Sequence, residues 1–159
     1  MTARVLPVGF DDLSPRLAYA VWRLRQDVFV VEQDCPYPDL DGRDLEPTTR
    51  HLLLVEGSEG STDGGDLLGY ARVLDDGDDD GGVVRVGRVL LARTARGRGL
   101  ADLLMHAALA EVGERPSRLD AQAPLARWYA TFGYAVDGPE FLEDGIPHVP
   151  MARPGQARQ

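Results

Sequence analysis

The segment at residues 96–101, Arg-Gly-Arg-Gly-Leu-Ala, constrains the fold more than any other, because it joins two regular patterns through a turn with two glycines. Residues 83–92 before it are largely valine and leucine, as in a buried strand. The residues after it repeat apolar side chains at helical spacing: Leu100, Leu103, Leu104, Ala107 and Ala108. A strand, a glycine turn and a helix are therefore expected to meet here.

Such a junction is suited to bind a pyrophosphate group. Glycines let the backbone approach an anion, and the first N–H groups of the helix point towards it. The helix dipole adds roughly half a positive charge, and Arg93, Arg96 and Arg98 add full charges. A dinucleotide-binding fingerprint is excluded because Asp102 stands where its third glycine would be. A P-loop is excluded because the chain contains no lysine.

Length and composition predict one folded domain. The chain has 159 residues, of which 43% are hydrophobic, enough for one ordinary core. We expect the domain to span residues 1–153, followed by a frayed tail at 154–159. No apolar run approaches the roughly 18 residues that a membrane span needs. The single cysteine, Cys35, cannot form an internal disulfide, which favours a reducing cytoplasm.

The net charge of −9 argues against a nucleic-acid or anionic-membrane partner and suits a cationic substrate such as an amine. Asp39, Asp41 and Asp44 do not fit a calcium-binding loop, because Arg43 and Arg50 fall on its ligand positions. We interpret these aspartates as an acidic lip or a solvated loop, and we predict no metal site.

The pattern of apolar residues predicts an α/β (α+β) domain with a mixed sheet of about six to seven strands flanked by about four helices. Ser14 and Pro15 predict a helix start, and the first helical run is expected to divide in two around Cys35. Gly133 is expected to end the last helix. Loops are predicted at 34–50 and 57–66, and a hairpin tip at 75–82. The strands are predicted at 3–9, 51–56, 67–74, 83–92, 117–122, 134–141 and 147–152.

With these elements in order, the glycine turn resembles the Arg/Gln-x-x-Gly-x-Gly/Ala signature of the GNAT N-acetyltransferase superfamily. Arg96, Gly99 and Ala101 stand in its three signature places. Further segments resemble one branch of that superfamily, the ElaA-type N-acetyltransferases: 28–33, 35–37, 39–42, 69–72, 87–89, 121–123, 132–134 and 143–148. The resemblance runs from about residue 20 to residue 152 and implies the GNAT fold.

The resemblance also implies acetyl-CoA as co-substrate. Backbone groups of Val89, Leu90 and Leu91 would contact the pantetheine arm. Gln122 occupies the place where many members have an asparagine that touches the same arm. Tyr129 occupies the place of the tyrosine that protonates the leaving thiolate. The pyrophosphate would lie on the backbone N–H groups of the turn: Arg96, Gly97, Arg98, Gly99, Leu100 and Ala101.

The general base is harder to identify from the residues. Glu32, His51, Glu143 and His148 are all candidates. Glu32 is favoured because it ends the first helix, where the resemblance to GNAT domains implies the acceptor side of the cleft. Gln33, His51, Glu143 and His148 are predicted to contact the acceptor amine.

The sequence therefore predicts an N-acetyltransferase that moves an acetyl group directly to a primary amine of a small molecule, peptide or protein. Two alternatives stay open: a non-catalytic acyl-CoA-binding sensor, and a GNAT-like synthase that uses longer acyl chains, for instance for acyl-homoserine lactones. A homodimer is compatible with the sequence.

Overall fold

A computed structural model describes residues 2–57, 66–76 and 82–156. Its eight strands form one mixed sheet in the order β1-β2-β3-β4-β5-β8-β6, with β7 also paired to β8. The GNAT fold expected from the sequence is confirmed by this topology and by the solved structures compared below. The strands are β1 (Ala3–Val8), β2 (Arg50–Glu56), β3 (Asp66–Asp75), β4 (Val84–Leu91), β5 (Ser117–Gln122), β6 (Ala135–Val136), β7 (Phe141–Glu143) and β8 (Ile146–Arg153).

The helices are α1 (Pro15–Arg25), α2 (Leu100–Val112) and α3 (Ala126–Ala130). α1 begins as predicted, because the Ser14 side chain accepts a hydrogen bond from the Leu17 N–H at 3.2 Å. It does not divide into two helices around Cys35 but continues as a π-helical segment, Gln26–Glu32. Pro36 and Pro38 then follow, and proline cannot extend a helix because it lacks an N–H. The described residues thus contain three α-helices rather than about four.

The predicted strand at 134–141 is also divided. Gly138 and Pro139 separate β6 from β7, and proline has no donor for a strand ladder. Both short strands pair antiparallel with β8. The predicted 57–66 loop and the 75–82 hairpin tip fall largely outside the described residues. At the C-terminal end, the Gln156 N–H donates to the Glu114 carbonyl at 2.9 Å, and residues 157–159 also lie outside.

The sheet is covered on both faces, which explains why β2 is a continuous apolar run. Its alternating side chains enter two cores. Leu52 and Leu54 pack with Leu104 and the rest of the apolar face of α2. Leu53 and Val55 pack with α1 on the opposite face. No helix in the described part of the chain is long and apolar enough to cross a membrane.

The feature that creates a site is the separation of β4 from β5. These strands are parallel and pair only at Val84 with Ser117 and at Arg85 with Arg118. Beyond Arg85, the free edge of β4 no longer faces a paired strand. The connection between them, the glycine turn followed by α2, begins at the far end of β4. An open wedge between parallel strands therefore lies directly beside a helix N-terminus.

Candidate functional site

A cleft of about 810 Å³ occupies the wedge between β4 and β5. The π-helical segment and the loop that carries Cys35 and Tyr37 line it on one side, and the β7–β8 hairpin lines it on the other. The Cys35 thiol contacts the Asp144 carbonyl at the hairpin tip, at 3.3 Å. The two walls are therefore in contact at this one described point, and the rest of the cleft lies between them.

Most of the predicted site residues come together in this cleft. The predicted residues that line it are Glu32, Gln33, Val89, Leu90, Leu91, Arg96, Gln122, Tyr129, Glu143 and His148. Gln122 also donates a hydrogen bond to Gln33 at 3.3 Å, so two residues separated by much of the chain meet across the cleft. Gly97, Arg98 and Gly99 follow Arg96 directly, and Leu100 and Ala101 then begin α2.

The turn has the geometry expected of an anion site. Gly97 and Gly99 have φ angles of +77° and +74°, a region that L-residues rarely adopt. A Cβ atom added to either glycine would meet nothing within 4 Å, so the space above the turn is open to a ligand. The N–H groups that begin α2 have no carbonyl one turn earlier to bond with. The residues present therefore fit the pyrophosphate of coenzyme A.

The Glu32 carboxylate forms ion pairs with two arginines beside this turn, Arg93 and Arg96. Its carboxylate lies 2.8 Å from Arg96 and 2.6 Å from Arg93. Hydrogen bonds from Arg96, and then from Arg93, lower the pKa of Glu32 to about 2. A carboxylate held so firmly in its charged form is a weak proton acceptor near neutral pH. This arrangement argues against the predicted role of Glu32 as general base, although it does line the cleft.

The Glu32→Gln variant is expected to bind acetyl-CoA about two- to fivefold more tightly, because the carboxylate no longer competes with the ligand's phosphates for exposed arginines. Calorimetric titration of both proteins at equal ionic strength measures the change. Glu111→Gln is the matched control, since Glu111 pairs with Arg50 at 3.4 Å and neither residue lines the cleft or belongs to the turn. A loss of turnover of 100-fold or more in Glu32→Gln would restore Glu32 as the base.

His51 lies elsewhere. It is fully buried in β2, its Nε2–H donates to the Asp44 carbonyl at 3.0 Å, and its Nδ1 accepts from the Tyr70 hydroxyl. Burial lowers the pKa of His51 below its ordinary value and so favours the neutral ring. His51 is not among the residues that line the cleft. The predicted contact with the acceptor therefore has no support in the structure, and His51 is a satisfied core histidine.

Tyr129 reaches the cleft from α3. Its ring packs edge-on against Tyr134, with centroids 6.4 Å apart, and the side chain is nearly buried. Within the described residues its hydroxyl has no hydrogen-bond partner, and it lines the wedge. Burial, reinforced by Tyr134, raises the pKa of Tyr129 well above its usual range. The group is therefore protonated at neutral pH, which is the form that a proton donor requires.

Sequence reasoning missed a buried charge network behind the cleft. Arg25 is 0% exposed and lies 2.9 Å from Asp39 and 2.7 Å from Asp44. Arg72 lies 2.8 Å from Asp41 and 3.1 Å from Asp44. Although burial acts in the opposite direction, hydrogen bonds from Arg72 hold the pKa of Asp41 well below its ordinary value. The three aspartates are thus neither a free acidic lip nor a solvated loop.

Arg88 connects this network to the cleft. Its φ angle is +52°, at the irregularity where β4 slips its register against β3. Its guanidinium lies 2.8 Å from Asp39 and 5.8 Å from the centre of the Tyr37 ring, and both Arg88 and Tyr37 line the cleft. Strain of this kind persists where surrounding contacts fix the residue. The network therefore attaches the acceptor-side loop to the strand that lines the wedge.

Comparison with known proteins agrees with this geometry. Residues 58–153 match the family model described as "Acetyltransferase (GNAT) domain". A UPF0039 protein of Mycobacterium tuberculosis is 48% identical over 158 residues, covering 99% of this chain and 97% of that protein. Protein ElaA of Escherichia coli is 40% identical over 147 residues, covering 90% and 91% respectively.

Two solved structures are similarly close. The crystal structure of an acyl-CoA N-acyltransferase from Pseudomonas aeruginosa superposes with a TM-score of 0.84 at 38% identity, covering 96% of this chain and 99% of that one. Escherichia coli ElaA gives the same TM-score at 37% identity, with coverage of 96% and 99%. The predicted resemblance is confirmed by these matches. With the split strands, the glycine turn and the relatives in agreement, the chain belongs to the GNAT acetyltransferase family, alongside ElaA and the UPF0039 proteins.

Proposed function

We propose that the protein transfers an acetyl group from acetyl-CoA to a primary amine, by direct attack of the amine on the thioester within a ternary complex. The observation that carries this proposal is the wedge between β4 and β5, whose lining includes Tyr129 and Arg96, the residue that begins the glycine turn. Membership of the GNAT family supports acyl-CoA as the donor. Similarity to the P. aeruginosa protein, an acyl-CoA N-acyltransferase by name, supports nitrogen as the acceptor atom.

Each part of the site has a separate role in the proposed reaction. The turn and the start of α2 bind the pyrophosphate, and the free edge of β4 orients the pantetheine arm. Backbone N–H groups at that edge can polarise the thioester carbonyl, an oxyanion-type contact. Tyr129 donates its proton to the departing thiolate. The acceptor amine binds among residues of the π-helical segment and the β7–β8 hairpin, which also line the cleft.

The protein's acidic charge favours a cationic acceptor over a nucleic acid, and its single cysteine is compatible with the cytoplasm. The first test is calorimetric titration with acetyl-CoA, followed by thiol release in the presence of primary amines. One-to-one micromolar binding with amine-dependent thiol release supports the proposal. Binding without release would favour a sensor, and a preference for octanoyl-CoA over acetyl-CoA would favour the longer-chain synthase.

Gly99→Asp is expected to weaken acetyl-CoA binding by at least about 100-fold, because a carboxylate would lie against the pyrophosphate and like charges in contact cost several kcal/mol. The matched control is Gly99→Asn, which has the same shape without the charge and which tolerates a positive φ. Its affinity should fall far less. If the two variants bind equally well, the pyrophosphate does not lie on this turn.

A further inference from the structure

We propose that His148 is the general base of this site and that Glu143 holds the acceptor as an ammonium ion before its proton is removed. This inference rests on the proposed function. His148 lies on β8 directly opposite Gln122 of β5, and both side chains line the cleft. It is the one histidine, of the three in the chain, that lines it.

The orientation and tautomer of His148 are set by its neighbours. Its Nδ1–H donates to the Ile146 carbonyl at 2.7 Å. Its ring stacks on Phe141 with 24° between the planes and 5.8 Å between the centres. A proton held on Nδ1 leaves the lone pair on Nε2, which has no hydrogen-bond partner among the described residues. In the neutral ring, the bond to Ile146 therefore selects the tautomer whose Nε2 can accept a proton.

Besides Glu143, four acidic residues of the described chain line the cleft: Asp144 lies at the tip of the β7–β8 turn, and the other three are held by arginines. Glu32 is paired with Arg96, Asp41 with Arg72, and Asp120 with Arg85 at 3.2 Å. Carboxylates in ion pairs of this kind favour the charged form and hold protons weakly. The pKa values of Glu32 and Asp41 lie below the ordinary range, so neither carboxylate is suited to take a proton from an ammonium group near pH 7.

The remaining uncharged groups in the cleft are equally unsuited. Burial raises the pKa of the Cys35 thiol, and burial together with Asp39 raises the pKa of Tyr37 above its ordinary range. Tyr129 also keeps its proton, and Arg88 beside Tyr37 is a permanent cation. Imidazole is the side chain whose ordinary titration lies closest to neutrality. His148 is therefore the lining residue whose chemistry suits a base.

Glu143 lies on the same face of the hairpin as His148. In the β7–β8 register, Phe141 is opposite His148 and Glu143 is opposite Ile146, so alternation brings all four side chains to one face. Glu143 lines the cleft, and it has no ion-pair partner among the described residues. Asp144 follows it at the tip of the turn. A carboxylate without an arginine partner, beside an imidazole, is suited to bind a cationic primary amine.

The step then balances. His148 Nε2 takes a proton from the bound ammonium, and the freed amine forms a C–N bond with the thioester carbonyl carbon. The C–S bond breaks, and the thiolate takes its proton from Tyr129. The second proton, which the nitrogen loses on becoming an amide, returns to the Tyr129 oxygen. The products are an amide and free coenzyme A, and the proton on His148 leaves to solvent.

The test uses a matched pair of acceptor probes and the variant His148→Asn. Phenethylamine is an ammonium ion at neutral pH, whereas the isosteric O-benzylhydroxylamine is largely neutral and needs no base before attack. Asparagine keeps a donor where Nδ1 stood, so the bond to the Ile146 carbonyl can be retained, but it removes the Nε2 base. The readouts are kcat/KM with each probe across pH, the melting temperature and acetyl-CoA affinity.

For phenethylamine we expect kcat/KM to fall by about 100- to 10,000-fold and its acidic limb to disappear. For O-benzylhydroxylamine the loss should be less than about tenfold. Glu143→Gln should raise KM about two- to fivefold for phenethylamine alone. Equal losses with both probes, or none, would overturn the role of His148 while wild-type turnover keeps the proposed function. If the wild type acetylates neither probe, both proposals fail.

A second readout needs no turnover. Nitrogen-15 spectra of the free protein report which ring nitrogen of His148 carries the proton. We expect the proton on Nδ1 in the neutral form, as the bond to Ile146 requires. A proton on Nε2 would overturn the assignment, because the lone pair would then face the carbonyl rather than the cleft.

Discussion

Replacing Tyr129 by phenylalanine is expected to lower kcat by about 100- to 10,000-fold while leaving acetyl-CoA affinity within about twofold, the size of loss typical when a general acid is removed. The phenolic O–H lies in the cleft wall and keeps its proton at neutral pH because burial raises its pKa. Phenylalanine keeps the ring that packs against Trp128 and Tyr134. Thiol release under saturating acetyl-CoA measures kcat, and calorimetry measures affinity.

Tyr134→Phe is the matched control for this experiment. Tyr134 belongs to the same core, but its hydroxyl bonds to Ser117 Oγ at 2.8 Å and does not line the cleft. That variant should lose about 1 kcal/mol of stability, the usual value of one hydrogen bond, and keep its turnover. Tyr129→Phe should instead lose turnover and keep its stability, because the Tyr129 hydroxyl has no hydrogen-bond partner to lose among the described residues. If turnover is unchanged in Tyr129→Phe, Tyr129 only packs α3 against the sheet.

Arg25→Leu is expected to lower the free energy of unfolding by about 3–5 kcal/mol, because it breaks two buried ion pairs and leaves Asp39 with Arg88 alone and Asp44 with Arg72 alone. Arg25 bonds to the side chains of Asp39 and Asp44, and its Nη2 donates to the Asp39 carbonyl at 2.9 Å. Leucine fills much of the volume and suits a helix, so the loss reports the charges rather than a cavity or helix propensity. Urea denaturation monitored by tryptophan fluorescence measures the change.

Arg23→Leu provides the comparison on the same helix. Arg23 is 72% exposed and lies 3.9 Å from Asp27, a surface pair that contributes little. The expected change there is within about 0.5 kcal/mol. If Arg25→Leu also changed stability by less than about 1 kcal/mol, far below the usual cost of breaking a buried pair, the network would be energetically neutral in the folded protein. The loop at residues 37–44 would then be held by other contacts.

The sequence predicted the local elements well, because their signals lie within a few residues. Ser14 and Pro15 start α1, two glycines make the turn before α2, and the alternation in β5 selects which side chains face the core. Two predicted elements needed correction, the division of the first helix and the single strand at 134–141, and both lie next to prolines. Pro36 and Pro38 follow a single continuous helical run, and Pro139 lies in the break between β6 and β7. A proline marks a break, but its position does not reveal which neighbouring element continues.

The charge network could not be predicted locally, because its partners lie 14 to 49 residues apart. One signal was present. Arg25 stands at helical spacing from Val21 and Val28, on the buried face of its helix, where an arginine requires a counter-charge. Nothing in the sequence specified that Asp39 and Asp44 supply it. The same limitation led to Glu32 as the favoured base, because the arginines that hold its carboxylate follow it by more than sixty residues.

By itself, then, the sequence determined the family, the order of elements and the glycine turn before α2, because each depends on residue types at short, regular spacing. Tertiary structure alone decided which titratable groups are free to act. Glu32, His51 and His148 were all candidates in the sequence. Folding places Glu32 against two arginines and buries His51 in the core. It leaves His148 in the cleft, where Nε2 has no hydrogen-bond partner among the described residues. Protonation depends on burial and on neighbouring charge, and both arise from contacts between distant parts of the chain.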